Sequence, residues 1–88
     1  METQEARLKR LKMRSMRRGI KEMDLILSAY GDACLAGMGE AELLLYDALL
    51  SENDHDIYQW VTGQAPAPER FSDMISKIST HAHGGVRL

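Results

Sequence analysis

The stretch ELLLYDALL, residues 42–50, decides the fold class because it places six large apolar side chains in nine positions. Such a run leaves little polar face, which is typical of a helix buried at the centre of a bundle. We therefore predict a helix over about Glu40–Ser51. Gly39 precedes it, where Ser or Thr would cap the helix start better.

The segments on either side also carry apolar residues at helical spacing, and none alternates with the period of two that a strand requires. The first predicted helices cover about Thr3–Arg17, followed by Gly19, and Ile20–Cys34. Asn53 is expected to cap a short fourth helix that ends near Gly63. A fifth begins at Pro68 and buries Phe71, Met74, Ile75 and Ile78. The prediction is all-α: a five-helix bundle over residues 1–80, with a flexible tail over 81–88.

Composition favours one small intracellular domain. The chain has 88 residues, 44% of them hydrophobic, which suits a single core. Cys34 is the single cysteine, so an internal disulfide is excluded, and we expect a small core residue rather than a nucleophile. No apolar run approaches the ~20 residues of a membrane span. The lack of a presequence favours a bacterial cytoplasm, or a mature matrix protein if the source is eukaryotic.

Charge is distributed unevenly along the chain. Residues 1–24 hold eight Lys/Arg against four acids, whereas residues 25–88 hold three against nine. No acid lies between Arg7 and Lys21. The basic end is therefore expected to attract an acidic partner.

Several chemistries find little support in the residue pattern. The basic segment lacks aromatic residues that would stack on bases or anchor it in a membrane. Binding to nucleic acid and binding to a membrane surface are therefore both weak alternatives. Asp54 and Asp56 suit a helix start better than a metal site, and His81-x-His83 lacks further ligands. No histidine stands at a motif spacing from Ser15 or Ser28, so nucleophilic catalysis has no support.

The segment MRSMRRGIKEMD, residues 13–24, places Gly19 inside an apparent basic helix, where it costs roughly 1 kcal/mol relative to alanine. A glycine at this position indicates either a bend in the chain or a stretch of backbone that no side chain covers. Arg18 and Glu22 stand at i, i+4, so an exposed ion pair at a helix corner is one interpretation. Close docking of another protein on the bare backbone is the other.

This segment resembles the signature of the succinate dehydrogenase flavinylation factor family. The similar residues are Arg14-Ser15-x-Arg17-Arg18-Gly19-x-x-Glu22-x-Asp24-Leu25. A second block, Glu52-Asn53-Asp54-x-Asp56-Ile57-Tyr58-x-Trp60, follows at the expected distance. The likeness covers roughly residues 7–80.

The resemblance implies a helical bundle that binds the flavoprotein subunit of succinate dehydrogenase, with fumarate reductase as a second client, and promotes covalent attachment of FAD to it. It implies an assembly factor that is no enzyme, has no cofactor of its own and is monomeric when free. A small nucleic-acid-binding regulator is the alternative from another class.

The resemblance also assigns candidate site residues. Arg18, Gly19 and Glu22 match the motif core. Arg14, Arg17 and Asp24 flank it, and all six are expected to contact the partner. The arginines would face acidic or carbonyl groups, and Glu22 would orient Arg18 or meet a cation. Trp60 matches the second block but is expected to be core.

Overall fold

Five α-helices and one 3-10 turn make up most of residues 2–85, the part whose backbone this computed structural model describes; side chains are described for residues 2–82. The predicted all-α, five-helix architecture is confirmed. The helices are α1 Gln4–Arg14, α2 Lys21–Cys34, α3 Glu40–Leu50, α4 Asp54–Val61 and α5 Glu69–Gly85, and the 3-10 turn is Leu35–Gly37.

The apolar run in α3 supplies four core side chains, Leu43, Tyr46, Leu49 and Leu50. Leu44, in contrast, is 58% exposed, so α3 does have an outer face. Helix α2 packs against α1, α4 and α5, whereas α3 packs its backbone mainly against α5. The central position predicted for α3 is therefore shared with α2.

Helical periodicity correctly predicts most of the remaining core. The inner face of α5 is buried at all four predicted positions, and α2 buries Met23, Leu27 and Tyr30. Cys34 is a free cysteine, half-buried against the core. Met13 at the end of α1 and Met16 just after it are exposed. The buried apolar residues are Leu11, Met23, Leu27, Tyr30, Leu35, Met38, Leu43, Tyr46, Leu49, Leu50, Ile57, Val61, Phe71, Met74, Ile75 and Ile78.

The helix ends follow the chemistry of their caps. Asn53 caps α4, its side-chain oxygen accepting from the His55 N–H at 2.8 Å. Gly63 follows α4 with φ +80°, the left-handed conformation that favours glycine after a helix. Gly39 stands at the start of α3 with no side-chain hydrogen bond, as expected.

Helix α5 extends further than the sequence predicts. The segment from His81 is expected to be a tail, yet α5 continues to Gly85. The His81 ring packs edge-on to Tyr30, with 5.8 Å between ring centroids. The His83 side chain and residues 86–88 lie outside the described part of the chain, and flexibility of residues 81–88 stays a prediction.

A buried hydroxyl pair joins α1 to α3. Ser15, fully buried, donates to the Leu11 carbonyl at 2.9 Å, and its Oγ lies 2.6 Å from the Tyr46 hydroxyl. Since the serine proton is used on Leu11, Tyr46 donates to Ser15. Burial raises the pKa of Tyr46, which keeps this donor neutral. Gly31 of α2 completes the junction, since a Cβ there would lie 3.3 Å from Ser15 Oγ.

The basic residues of α1 are largely neutralised within the fold. Arg7 pairs with Glu40 at 2.6 Å, and Arg10 and Arg14 both pair with Asp47. The hydrogen bond from Arg10 holds the pKa of Asp47 below its ordinary value. This pairing reduces the positive charge that the basic end presents, and its expected attraction of an acidic partner stays a prediction. The basic residues of segment 1–24 that pair internally are Arg7, Arg10, Lys12, Arg14 and Arg18.

The Ser15–Tyr46 hydrogen bond predicts that removing the Ser15 hydroxyl lowers the free energy of unfolding more than removing the Tyr46 hydroxyl. Ser15→Ala leaves the buried Tyr46 hydroxyl without its acceptor and should cost about 1–3 kcal/mol. Tyr46→Phe leaves Ser15 bonded to Leu11 and should cost only about 0.5–1.5 kcal/mol. Urea unfolding of both variants measures the difference, and a larger loss for Tyr46→Phe would contradict this geometry.

The pairing of Asp47 predicts acid-sensitive stability. Because its folded-state pKa is lowered, the pairs stabilise the protein above the unfolded pKa and are lost as pH falls through the folded one. Asp47→Asn should therefore flatten the decline of unfolding free energy between pH 5 and pH 2. Asp73→Asn is the matched control, since Asp73 is exposed and forms no ion pair within residues 2–82. Urea titrations across this pH series should show a smaller slope only for Asp47→Asn.

Candidate partner-binding surface

The motif glycine lies in a loop, not within a helix. Helix α1 ends at Arg14 and α2 begins at Lys21, which leaves residues 15–20 as the corner loop between them. The predicted helix over Thr3–Arg17 therefore extends three residues too far at its C-terminal end. The cost of glycine inside a helix does not apply to Gly19, and its presence needs another explanation.

Arg18 ties together three helix ends. Its Nε donates to Asp54 Oδ1 at 2.8 Å, in the first turn of α4. Its Nη1 donates to the Arg14 carbonyl at 2.8 Å, and its Nη2 donates to the Leu50 carbonyl at 3.0 Å. These carbonyls close α1 and α3, where a cation is favoured by the helix dipole. The side chain is only 11% exposed.

Gly19 is needed because the Asp54 carboxylate approaches its backbone closely. The Gly19 N–H donates to Asp54 Oδ2 at 2.6 Å, and a Cβ on Gly19 would lie 3.0 Å from the same oxygen. Its φ is not positive, so the requirement is steric rather than conformational. The bare backbone indicated by the sequence therefore accommodates a carboxylate of the same chain.

The interpretation of Arg18 and Glu22 as an exposed ion pair is wrong. Arg18 pairs with Asp54 instead, and Glu22 is exposed in the first turn of α2. The Glu22 side chain has no hydrogen-bond or ion-pair partner within the described residues, so it does not orient Arg18. Asp54 is the site residue that sequence reasoning missed. The available signal was its place in the second block, but its acidity was attributed to the helix start alone.

Arg17 has the left-handed backbone conformation, with φ 55°. For a residue other than glycine this costs roughly 1–2 kcal/mol. Its N–H donates to Asp24 Oδ1 at 3.0 Å, and the same oxygen accepts from the Ser28 hydroxyl at 3.2 Å. The Arg17 side chain is exposed and unpaired within the described residues. Asp24 thus fixes the loop from the side of α2 and leaves the guanidinium in solvent.

The six predicted site residues divide into two groups. Arg14, Arg18 and Asp24 point into the protein, with Arg14 bonded to Asp47 and to Ser51 Oγ. The structure places Arg17, Gly19 and Glu22 on the exposed side of the same corner. Their contact with a partner stays a prediction. The inward group supports the loop, and the outward group is available to another molecule.

Two exposed apolar side chains lie in the same segment of the chain, residues 15–25. Met16 in the loop is 43% exposed, and Leu25, which follows Asp24 on α2, is 64% exposed. Exposed methionine beside arginine is typical of protein interfaces. We call the set Met16, Arg17, Gly19, Lys21, Glu22 and Leu25 the corner surface.

The remaining candidate residues have structural surroundings. Trp60 is half-buried and stacks on Phe71, with 6.1 Å between ring centroids, as expected for a core residue. Among the described residues, no group of three His, Cys, Asp or Glu is placed to hold a metal ion. The described helices also include none with the length and apolar character needed to cross a bilayer.

These features define a small all-α bundle in which an Arg-Gly corner is fixed by an acidic residue from the helix start of α4. A family model described as "Flavinator of succinate dehydrogenase" matches residues 9–82. The chain therefore belongs to that family, and the resemblance read from its two sequence blocks is confirmed.

Curated relatives share a substantial part of this sequence. A Schizosaccharomyces pombe protein is 43% identical over 82 residues, covering 91% of this chain and 59% of its own length. One from Scheffersomyces stipitis is 45% identical over 80 residues, covering 88% and 52%. One from Aspergillus terreus is 51% identical over 57 residues, covering 65% and 19%. Each is named "Succinate dehydrogenase assembly factor 2, mitochondrial".

The chain spans only part of each of these relatives, from about a fifth to three-fifths of their length. The matches give no support to the alternative of a nucleic-acid-binding regulator. The internal pairing of most basic residues in segment 1–24 also removes the charge pattern on which that alternative depended.

The corner predicts that two neighbouring acids of α4 differ sharply in importance. Asp54→Ala removes the partner of the poorly exposed Arg18 and of the Gly19 N–H, and should cost about 2–3 kcal/mol. Asp56→Ala is the matched control, since Asp56 is exposed in the same helix turn and should cost within about 0.5 kcal/mol. Chemical unfolding measures both. Equal losses would mean that helix-start charge, not the corner, explains Asp54.

Proposed function

We propose that this protein binds the flavoprotein subunit of succinate dehydrogenase during assembly and promotes covalent attachment of FAD to that subunit. Fumarate reductase, with a related flavoprotein, is a second candidate client. Membership of the flavinator family is the observation that carries the proposal. The relatives are named as assembly factors of succinate dehydrogenase, which supports it.

The geometry of the corner surface supports a docking role. The corner loop is fixed from behind by Arg18 and Asp54, and from the side by Asp24. A surface held in one conformation before binding loses less entropy when it docks. Exposed charged, apolar and bare-backbone groups at one corner also suit protein recognition better than small-molecule chemistry.

In this proposal the flavoprotein supplies the reacting groups. Its own histidine and its bound FAD form the covalent bond, while the assembly factor holds the subunit so that the two meet. Positioning of this kind can contribute several kcal/mol to a rate without a catalytic side chain. The factor is then no enzyme, has no cofactor of its own and acts on FAD in the partner.

The compartment in which the protein acts depends on the kind of organism from which it comes. The relatives are named as mitochondrial proteins, so a eukaryotic form would act in the matrix, and a bacterial form in the cytoplasm. We propose that the free protein is a monomer that binds its client without inserting into a membrane.

Complementation of cells that lack their own flavinylation factor tests this function. The wild-type chain should restore in-gel flavin fluorescence of the succinate dehydrogenase flavoprotein, and Glu22→Ala should reduce it several-fold because an exposed contact is lost. Glu69→Ala is the matched control, since it removes an exposed acid from the first turn of α5.

The outcomes of this experiment test the proposed function and the contact role of Glu22 separately. Failure of the wild-type chain to restore fluorescence would contradict the proposed function. Restoration that Glu22→Ala leaves undiminished would exclude Glu22 from the contact while leaving the function in place. Circular dichroism of the variants checks that helix content is unchanged.

A further inference from the structure

We propose that Arg17, rather than the motif residue Arg18, carries the positive charge that the client flavoprotein recognises, and that it meets a carboxylate bordered by apolar side chains. This inference rests on the proposed function, since the client it names is the flavoprotein subunit. It assigns different tasks to two adjacent arginines that the sequence motif treats alike.

Arg18 is already committed within the protein. Its guanidinium donates to the Asp54 carboxylate and to the carbonyls of Arg14 and Leu50, and little of it reaches solvent. A partner protein could bind the Arg18 guanidinium only by breaking hydrogen bonds that connect three helix ends. Arg17 has the opposite arrangement, since its backbone is held by Asp24 while its guanidinium is free of partners in residues 2–82.

The backbone of Arg17 gives an independent reason to assign it a role outside the fold. Its φ of 55° lies in the region that glycine enters freely and asparagine tolerates, yet the chain places a long cation there. Residues held in such conformations cluster at functional sites, where an interaction elsewhere compensates for the strain. The internal contacts of Arg17 involve its N–H, which any residue but proline would supply.

The neighbours of Arg17 define the chemistry of the partner. Lys21 is a second exposed cation without an ion pair in the described residues, and Met16 and Leu25 present exposed apolar surface. Glu22 is the one acid of the corner surface. Arginine forms two parallel hydrogen bonds with a carboxylate, which gives direction as well as charge. A carboxylate within an apolar border complements this set.

Calorimetric titration of the 88-residue chain against flavoprotein subunit isolated before covalent flavin attachment tests the inference. Arg17→Gly removes the guanidinium and the backbone strain together. The dissociation constant should rise at least tenfold, while the thermal midpoint stays equal or increases. Arg17→Lys should lose affinity to a smaller extent, because it keeps the charge without the planar fork. Lys9→Ala is the matched control, since Lys9 is an exposed cation on α1 with no ion pair among residues 2–82, and it should stay within twofold of wild type.

Each alternative result overturns the inference. Wild-type binding that Arg17→Gly leaves within twofold would show that the guanidinium is not recognised. A fall in thermal midpoint together with affinity, repeated with Arg17→Asn, would assign the side chain a structural role instead. If the wild-type chain itself fails to bind, the proposed function fails first.

Discussion

The structure depends on one carboxylate whose two oxygens both accept hydrogen bonds. Asp54 accepts from Arg18 on one oxygen and from the Gly19 backbone on the other. This fixes the corner loop against the start of α4, and through Arg18 it also satisfies the last carbonyls of α1 and α3. An arginine that is mostly out of solvent needs such pairing, because an uncompensated charge there would be strongly destabilising. The Arg-Gly motif is therefore first an element of architecture, and its exposed neighbours are free for recognition.

The same principle governs the rest of the charge pattern. The excess of basic residues near the amino terminus suggests a surface for anions, but the fold brings α1 against the acids of α3 and consumes most of that excess. What stays available is a small set at the corner. Under the proposed function, recognition would depend on these few exposed groups rather than on a broad positive field, an arrangement that suits a folded protein partner better than a polyanion.

Sequence patterns predicted the features that depend on neighbouring residues and missed the contacts between residues far apart in the chain. The inner faces of α2 and α5 follow from a spacing of three and four, and Asn53 and Gly63 follow from the chemistry of helix ends. Helical spacing offered Glu22 as the partner of Arg18, whereas the true partner, Asp54, is 36 residues away. Residues 15–17 are compatible with a helix, yet tertiary bonds end α1 at Arg14. Likewise, no propensity rule places an arginine such as Arg17 in the left-handed region.

Two of the bonds of Arg18 span 32 and 36 residues, from the corner loop to the last residue of α3 and the first residue of α4. Contacts of such sequence separation close only after the intervening chain has collapsed into place. The corner loop is therefore held in place only when α1, α3 and α4 have come together. A copy in which these helices are apart lacks the arranged corner, so under the proposed function its binding to a client would report on the completeness of its own fold.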